Sequence, residues 1–345
     1  HDGHLIIEGA MGLFDGAPPF GKGSTAHLAK ILNLPIILIM DCSKISQSIA
    51  AVAEGFINFD EKVKIDGVIL NKIGSTKHEK ILTTALFKKN IPVIGCVHRD
   101  AQLLLPSRHL GLIQAQEKSN INEFIEYTAN VIEKSIDINT LINLFKNLPQ
   151  SQLSSTMEPP AQRISIASDG AFSFAYPHIL DDWHKNGAEI STFSPLENQA
   201  PHSCDLVFLP GGYPELYAPV LANADRFKKA LRSAKKVYGE CGGYMTMGNT
   251  LIDENGTPHK MLGLLDLETS FENKKLHLGY RTINGQNGCF LGSYSAHEFH
   301  YATTISAKGK TLFSVRDAEN NKLPDSGLIN ETSSGSFLHI IDKRL

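Results

Sequence analysis

Short apolar runs alternate with amphipathic segments along the first half of the chain. The runs typical of buried strands are Leu5–Ile7, Pro35–Met40, Gly67–Leu70 and Val93–Val97. The segments with helical spacing lie near Ser24–Leu32, Ser46–Phe56 and His78–Lys88, with two more near Gln116–Glu133 and Asn139–Lys146. Strands that alternate with helices predict a parallel sheet wound with right-handed crossovers.

Polar residues follow three of these predicted strands. Glu8, Asp41 and Asn71 each stand at or just after a strand end, where open α/β sheets bind ligands. Glu8 also begins a glycine-rich loop that contains Asp15, an arrangement by which phosphate-binding domains hold magnesium beside a nucleotide. The alternative is that these polar groups only cap turns.

The phosphate-binding pattern GxxxxGK[ST] does not occur in the chain. Because the alternating pattern begins in mid-fold, we expect the chain to be a fragment whose phosphate loop preceded His1. On that expectation the first domain is incomplete and binds ATP poorly or not at all.

Residues 147–162 are rich in Pro, Ser and Gln, and this composition predicts a linker. It separates a domain over 1–146 from one over 163–345. The second domain is predicted to contain strands Arg163–Ala167, Glu189–Phe193 and Asp205–Leu209, a helix near Tyr176–Asn186, and a β-rich tail with strands Met261–Asp266, His277–Ile283, Ser295–Thr304 and Ser336–Ile341.

Cys241 lies between a predicted strand and a predicted helix, with two glycines directly after it. This is the sequence form of a nucleophile elbow, in which a sharp turn exposes a reactive side chain. The adjacent helix N-terminus is expected to favour the thiolate. The alternative, a buried structural cysteine, is what most cysteines are; the double glycine and the turn position favour the nucleophile.

A second glycine pair, Gly211-Gly212, follows the apolar run Asp205–Leu209. Backbone N–H groups in such a turn can point at an anion, although a plain turn is the simpler interpretation. Together with Cys241, the pair predicts an oxyanion hole formed by Gly211, Gly212 and Gly242, as acyl transfer requires.

A thiol nucleophile is usually paired with a histidine, and the chain has 14 histidines. In the strand-like run around Phe299, alternation places Glu298 and His300 on one face and His297 on the other. We therefore predict His300 as the base and Glu298 as the group that orients it. His297 ranks second and His339 a distant third.

Composition narrows the class of protein. The net charge of −3 gives no indication of a nucleic-acid or anionic-membrane surface, and no apolar run is long enough to span a membrane. The five cysteines are scattered without CxxC spacing, so neither a disulfide framework nor a zinc site is indicated. A reducing cytoplasm fits this pattern best.

Several motifs occur in an order that resembles one family. FLPGGYPE, GECGGYM and HEFHYATT resemble the class I glutamine amidotransferase domain of cobyrinic acid a,c-diamide synthases. The upstream motifs IIEGAMGLFDG, GVILNK and PSRHLGL resemble the ATP-binding domain of the same enzymes, which is similar to dethiobiotin synthetase. The resemblance covers nearly all of the chain, and GLFDG, RHLGL and SDGAFSFAY separate this family from other amidotransferases.

The resemblance implies an α/β fold of two domains: an incomplete P-loop-type parallel sheet followed by a class I glutamine amidotransferase domain. It also implies ATP-dependent amidation of the a and c carboxylates of cobyrinic or hydrogenobyrinic acid in cobalamin biosynthesis. Glutamine would form a thioester at Cys241, and the released ammonia would displace phosphate from an activated carboxylate. The implied partners are this tetrapyrrole and glutamine, and a homodimer is left open.

Position by position, the resemblance implies a magnesium-proximal acid at Glu8, a weaker second metal-side acid at Asp41, an adenine contact at Asn71 and a ligand contact at Asp15. Mg²⁺ and ATP are the implied cofactor and cosubstrate. The chain departs from typical class I amidotransferases at Ala302, where they carry a glutamate two residues after the histidine, so Glu298 or water would orient His300.

Three alternatives stay open at this point. Cobyric acid synthase and nickel-sirohydrochlorin a,c-diamide synthase share the order of domains and differ in the tetrapyrrole acid that they amidate. A non-catalytic sensing module, with Cys241 as a relic, is the alternative of a different class.

Overall fold

A computed structural model describes residues 3–105, 107–108, 111–112, 120–149 and 156–344. The chain divides into two compact units, one of His1–Gly16 with Gly21–Ser151 and one of Ala17–Phe20 with Gln152–Leu345. Parts of three predicted segments lie outside the described residues: positions 150–155 of the linker, positions 106, 109 and 110 of the PSRHLGL motif, and positions 116–119 of the fourth predicted helix.

The first unit confirms the predicted alternation of strands and helices. Its parallel sheet has the order β1-β2-β3, with β1 at Ile36–Asp41, β2 at Ile65–Ile73 and β3 at Val93–His98. The helices are α1 (Thr25–Leu32), α2 (Ile49–Phe59), α3 (Thr76–Phe87), α4 (Ile121–Ser135) and α5 (Ile138–Asn143), and β4 (Ser107–Arg108) pairs with β5 (Gly111–Leu112).

The predicted strand Leu5–Ile7 is wrong. These residues have no strand assignment, and the side chains of Leu5 and Ile6 are 54% and 74% exposed. A strand forms only where a neighbouring backbone pairs with it, and no strand pairs with this segment in the described part of the chain. Glu8 therefore does not stand at a strand end.

The second unit is built on a ten-stranded sheet. Its strands are β6 (Arg163–Ala167), β7 (Glu189–Phe193), β8 (Leu206–Leu209), β9 (Val237–Glu240), β13 (His277–Gly285), β14 (Gly292–His300), β16 (Lys310–Arg316), β17 (Lys322–Ile329), β18 (Ser333–Ser336) and β19 (Leu338–Lys343). The order is β19-β14-β13-β16-β17-β18-β9-β8-β6-β7. Pairing is parallel from β18 to β7 and antiparallel in the remainder.

Helices and a smaller sheet complete this unit. The helices are α6 (Pro177–Lys185), α7 (Ala218–Ala222), α8 (Asp225–Arg232) and α9 (Gly242–Met247). The smaller sheet has the order β11-β10-β12-β15, with β10 at Thr250–Ile252, β11 at Pro258–Lys260, β12 at Asp266–Ser270 and β15 at Thr303–Lys308. No helix in the described segments is both long and apolar enough to cross a bilayer.

The predicted strand Met261–Asp266 is also wrong over most of its length. Residues 261–265 lie between β11 and β12, and their N–H groups cap the end of α9. Leu262 donates to the Thr246 carbonyl at 3.0 Å, and Leu264 donates to the Met247 carbonyl at 2.9 Å. These bonds satisfy the last carbonyls of the helix. The same N–H groups are therefore not available for hydrogen bonds to a neighbouring strand.

Apolar layers cover both faces of the parallel strands around β9. Val237 packs in one buried cluster with Leu209 and Met247, whereas Tyr238 packs in the other with Trp183 and Phe208. A strand buried on both faces has little freedom to slide or tilt. The carboxyl end of β9, where Cys241 stands, is therefore held rigidly.

Candidate active site

Cys241 occupies a strained turn between β9 and α9. Its backbone angles are φ 45° and ψ −101°, which non-glycine residues rarely adopt. Its N–H donates to the Ser336 carbonyl at 2.8 Å, and its carbonyl accepts from the Met245 N–H at 3.0 Å. A strained backbone conformation of this kind costs about 1–3 kcal/mol and persists only where surrounding structure imposes it.

The two glycine turns meet backbone to backbone. A Cβ placed on Gly242 would stand 2.9 Å from the Gly212 nitrogen, and one on Gly243 would stand 1.9 Å from the Leu209 carbonyl oxygen. The Gly243 N–H donates to the Pro210 carbonyl at 3.1 Å, which joins the turns directly. Only glycine allows this approach, since any side chain would separate the two backbones.

Cys241 and the two glycine turns border a niche, and the N–H groups of the turns are engaged differently. Within the described part of the chain the Gly212 N–H donates to no protein acceptor, while the Gly242 N–H points at the Cys241 sulfur. Gly211 is placed differently, because its carbonyl accepts from Phe174 at 2.9 Å and its Cα faces the His339 ring. The structure thus brings Gly212 close to Gly242, the residue that follows Cys241, and places Gly211 against His339.

The Cys241 thiol is protonated in this arrangement. The side chain is buried, and its Sγ lies 3.9 Å from the Phe299 carbonyl oxygen. Burial raises the pKa of the thiol to about 12, the negative charge of Glu215 adds to the rise, and the Gly242 N–H opposes it. The expectation that the helix N-terminus stabilises a thiolate is therefore wrong, since α9 has six residues and desolvation outweighs it.

His300, which is buried, and Glu298, which is half-buried, form a pair at the end of β14. The His300 Nε2 lies 3.1 Å from Glu298 Oε1, and its Nδ1 lies 3.0 Å from the Ala302 carbonyl oxygen. Arg281 donates to Glu298 Oε2 at 2.8 and 3.1 Å. Burial alone would raise the pKa of Glu298, but His300 and Arg281 together lower it below its usual value. Both ring nitrogens of His300 therefore lie against oxygen atoms.

The opposite face of β14 carries a different histidine chain. His297 lies 2.5 Å from the Tyr176 hydroxyl and stacks on His339 with ring centroids 4.8 Å apart. Burial lowers the pKa of His339 to about 3, so this ring is neutral. Of the three candidate bases, His300 directly follows Phe299, the residue whose carbonyl contacts Sγ.

Two glutamates near Cys241, the buried Glu240 and the half-buried Glu215, were not predicted from the sequence. Burial raises the pKa of Glu240 to about 8 and that of Glu215 to about 7. Glu240 Oε1 accepts from the Tyr238 hydroxyl and the Ile340 N–H, both at 3.2 Å. Two sequence positions could have marked these residues as candidates: Glu240 directly precedes Cys241, and Glu215 belongs to the PGGYPE motif. Sequence alone does not show how deeply either side chain is buried.

One group of side chains in the described residues lies close enough together to bind a metal ion. It consists of His277, Glu298 and His300, whose ligand atoms lie within 4.8 Å of one another. The His277 and His300 rings stack 8° from parallel with centroids 4.6 Å apart, so their in-plane lone pairs do not converge. The Arg281 guanidinium already supplies positive charge to Glu298. We therefore interpret this group as a hydrogen-bonded base rather than a metal centre.

The predicted nucleotide-side residues lie in the first unit and show no assembled metal site. Asp41 Oδ2 pairs with Lys72 Nζ at 2.6 Å and its Oδ1 accepts from the Ser43 N–H, so both oxygens are occupied. These contacts, with the Lys72 bond first, hold the pKa of Asp41 well below its usual range. Glu8 is exposed, and the one metal-competent group in the described chain contains neither acid.

Asn71 is half-buried and Asp15 is exposed in the same unit. The Asn71 Oδ1 accepts from the Lys72 N–H at 2.8 Å, which leaves the amide nitrogen for a ligand. Asp15 folds back onto its own turn, where its N–H donates to the Gly12 carbonyl at 3.0 Å. Their roles as nucleotide contacts stay predictions.

Comparison with known proteins places this geometry in a family. The sequence profile of the CobB/CobQ-like glutamine amidotransferase domain matches residues 163–344, and an AAA domain profile matches residues 1–107. The chain belongs to the CobB/CobQ-like amidotransferase family. The matched range includes Cys241, both glycine turns and His300.

Individual relatives extend the match over both units. A hydrogenobyrinate a,c-diamide synthase from Brucella abortus biovar 1 (strain 9-941) is 48% identical over 348 residues, which cover 98% of this chain and 80% of the relative. Proteins of the same name from Sinorhizobium sp and Rhizobium meliloti (strain 1021) are each 44% identical with the same two coverages.

Proposed function

We propose that this chain hydrolyses glutamine at Cys241 and uses the ammonia, with ATP, to amidate the a and c carboxylates of hydrogenobyrinic or cobyrinic acid. The observation that carries the proposal is the niche at Cys241, where the turn that carries a buried thiol meets a second turn whose Gly212 N–H has no protein acceptor in the described part of the chain. Relatives that are 44–48% identical and are named hydrogenobyrinate a,c-diamide synthase support the choice of substrate.

The geometry supports an acyl-transfer sequence. As Sγ attacks the γ-amide carbon of glutamine, the thiol proton passes to His300 and the carbonyl oxygen becomes an oxyanion. The N–H groups of Gly212 and Gly242 would donate to that oxygen. Collapse of the adduct breaks the C–N bond, and His300 returns the proton to the leaving ammonia. Water then hydrolyses the γ-glutamyl thioester to glutamate and restores the thiol.

The positions of the charges fit this sequence. Glu298, paired with Arg281, stays ionised and stabilises the imidazolium that His300 becomes during the attack. A thiol whose pKa is about 12 cannot ionise in advance, so proton transfer must accompany attack. The site therefore depends on a base, and His300 is the one that we assign.

The first unit would supply the ATP-dependent half. The AAA profile over residues 1–107 supports ATP as cosubstrate, with Asn71 and Asp15 as the contacts that we propose. ATP would activate a substrate carboxylate as an acyl phosphate, which ammonia can displace. Magnesium would accompany ATP, but the described arrangement of Glu8 and Asp41 does not fit a preformed Mg²⁺ site. No step is therefore assigned to it.

The five cysteines are free thiols in the structure. This state, together with a need for ATP and glutamine, fits the cytoplasm as the location that we propose. The oligomeric state, with a homodimer as one option, stays a prediction.

The proposal is tested by supplying the full-length protein with ATP, Mg²⁺ and glutamine, and with hydrogenobyrinic or cobyrinic acid in parallel. We expect one of these acids to gain two amides, at the a and c positions, with consumption of glutamine and ATP. Glutamine hydrolysis without amidation of either acid would reject the substrate assignment. The same assay with nickel-sirohydrochlorin or a partly amidated corrin separates the alternatives.

A further inference from the structure

Glu215 is fixed beside the niche by the turn that forms it. The residue lies in a short 3-10 turn, Pro214–Tyr217, which begins two residues after Gly212. Pro214 packs on the elbow itself, since a Cβ on Gly242 would stand 2.9 Å from its Cδ. The backbone that carries the Glu215 carboxylate is therefore fixed relative to the turn that contains Gly211 and Gly212.

No protein cation in the described residues pairs with this carboxylate. Its Oε2 is closed to solvent and has no hydrogen-bond partner there, and its carboxylate accepts only from its own N–H. The cation whose charge it feels most is Lys274, but Lys274 Nζ is bound to Glu254 Oε2 at 2.8 Å. A carboxylate oxygen that is closed to solvent and unpaired is costly, and a cation that binds beside it would remove that cost.

The charge of Glu215 also makes the Cys241 thiol harder to deprotonate. Among the charges around Cys241, that of Glu215 contributes most to raising the pKa of the thiol, ahead of Glu240 and Glu298. A carboxylate that serves only the fold would not be expected to raise the pKa of a thiol that must lose its proton. A carboxylate that meets a cation on the substrate would lose this effect when the substrate arrives.

We propose that Glu215 binds the α-ammonium group of the glutamine whose γ-amide lies at Cys241. This inference rests on the proposed glutaminase function and adds the amino-acid subsite to it. The ligand class is an L-α-amino acid with a free ammonium group. When that group pairs with Glu215, the negative charge beside the sulfur is neutralised and deprotonation of Cys241 becomes easier. Glutamine then promotes its own attack, and the free enzyme keeps an unreactive thiol.

The test compares two electrophiles on the same sulfur. 6-Diazo-5-oxo-L-norleucine carries the ammonium and carboxylate of an amino acid, whereas iodoacetamide carries neither. We expect Glu215→Gln to slow Cys241 labelling by the diazo reagent about tenfold or more, because a charged hydrogen bond is lost. Labelling by iodoacetamide should stay the same or become faster, because the variant removes the charge that raises the pKa of the thiol.

Two variants serve as controls. Glu215→Asp, which keeps the charge on a shorter side chain, should partly restore labelling by the diazo reagent. Glu189→Gln, which neutralises an exposed carboxylate at the start of β7, should behave like the wild type with both reagents. Labelled peptides are identified by mass spectrometry, so that reaction at the other four cysteines is counted separately.

Each remaining outcome contradicts a specific claim. Equal slowing of both reagents by Glu215→Gln would show a structural role and overturn the subsite, as would no change with either reagent. If wild-type Cys241 reacts with iodoacetamide but not with the diazo reagent, the glutaminase assignment itself fails, and the subsite fails with it.

Discussion

At the scale of single residues, Cys241 is surrounded by groups that oppose its ionisation. Desolvation and the carboxylates of Glu215, Glu240 and Glu298 all raise the pKa of the thiol, and the Gly242 N–H opposes them. The free enzyme therefore holds a neutral sulfur, and turnover depends on a base that acts during the attack. That dependence makes the pair of His300 and Glu298 the most informative place for substitution.

Glu298→Gln is expected to lower kcat for glutamine hydrolysis by about 100-fold with little change in KM. The amide keeps an acceptor but loses the charge that stabilises protonated His300 and holds Arg281. The measurement is glutamate release across a pH series, in which the acidic limb should shift as well. Glu189→Gln is the matched control, and unchanged turnover in Glu298→Gln would show that water or another group orients His300.

Glu240 should make stability depend on pH. Its pKa is about 8 in the fold, mainly through burial, against an ordinary value of 4.5. Between these values the unfolded chain has released a proton that the folded chain retains, so the free energy of unfolding falls as pH rises through this range. The neighbouring His339 has a lowered pKa, and both shifts leave this pair uncharged.

Glu240→Gln should make that decline shallower, leaving the part due to Glu215, whose pKa burial raises to about 7, and at about pH 8 the variant should be more stable than the wild type. The amide preserves the acceptor for Tyr238 and Ile340 and carries no ionisable proton. Trp183, the single tryptophan, is buried in the same unit, so urea unfolding followed by its fluorescence reports on this unit. An equally steep decline in the variant would show that Glu240 is not the titrating group.

At the scale of elements, the elbow depends on the close approach of α9 to the end of β8. The backbone from Cys241 to Gly243 touches Pro210, Gly212 and Leu209 at distances that exclude side chains. The strain at Cys241 is thus maintained by packing of one turn on the other.

Gly243→Ala should destabilise the second unit by several kcal/mol, because its Cβ would stand 1.9 Å from the Leu209 carbonyl oxygen and backbone would have to move. Gly187→Ala is the matched control. That position has φ +86° with nothing within 4 Å, so it tests conformational strain without a clash and should cost about 1–2 kcal/mol. Equal losses in the two variants, measured by Trp183 fluorescence, would contradict the steric account.

The elements that local pattern predicted are those in which local preference and burial agree. Strands β6 and β7 begin and end at the predicted residues, because isoleucine stands between polar residues in each and an apolar last residue is followed directly by a serine. Strands β16 and β17 were not predicted. β17 contains Pro324, Asp325 and Gly327, which disfavour strands, and its pairing with β16 and β18 overrides them.

The same reasoning explains what was foreseen of the site. Alternation along one strand was enough to put Glu298 and His300 on the same face. Arg281 and His277 come from β13, and their arrival depends on a register that pairs His277 with His300 and Gly279 with Glu298. Local sequence does not determine which strands pair or in which register. The contacts of Arg281 and His277 with Glu298 and His300 could therefore not be predicted.

At the scale of the whole molecule, the two units would divide the chemistry. The second would release ammonia from glutamine, and the first would use ATP to activate the acceptor. Ammonia is the only product of glutamine hydrolysis that the ATP-dependent step uses in the proposed scheme. Ammonia added from outside should therefore replace glutamine hydrolysis.

In the full-length protein, Cys241→Ser should abolish amidation with glutamine and preserve amidation with ammonium salts. Serine lacks the acidity to form the acyl intermediate here, whereas the acyl phosphate accepts ammonia from any source. The amides formed per tetrapyrrole are counted by mass spectrometry with each nitrogen source. Loss of both activities would show that Cys241 also serves the ATP-dependent half or the fold.

The central claim is that Cys241 becomes acylated by glutamine, and trapping that intermediate tests it most directly. The enzyme is mixed with glutamine, quenched in acid and digested, and its cysteine peptides are analysed by mass spectrometry. The account predicts one γ-glutamyl group on the peptide containing Cys241, which is removed by hydroxylamine. Glutamine turnover that continues in Cys241→Ser, or an adduct on a different cysteine, would contradict it.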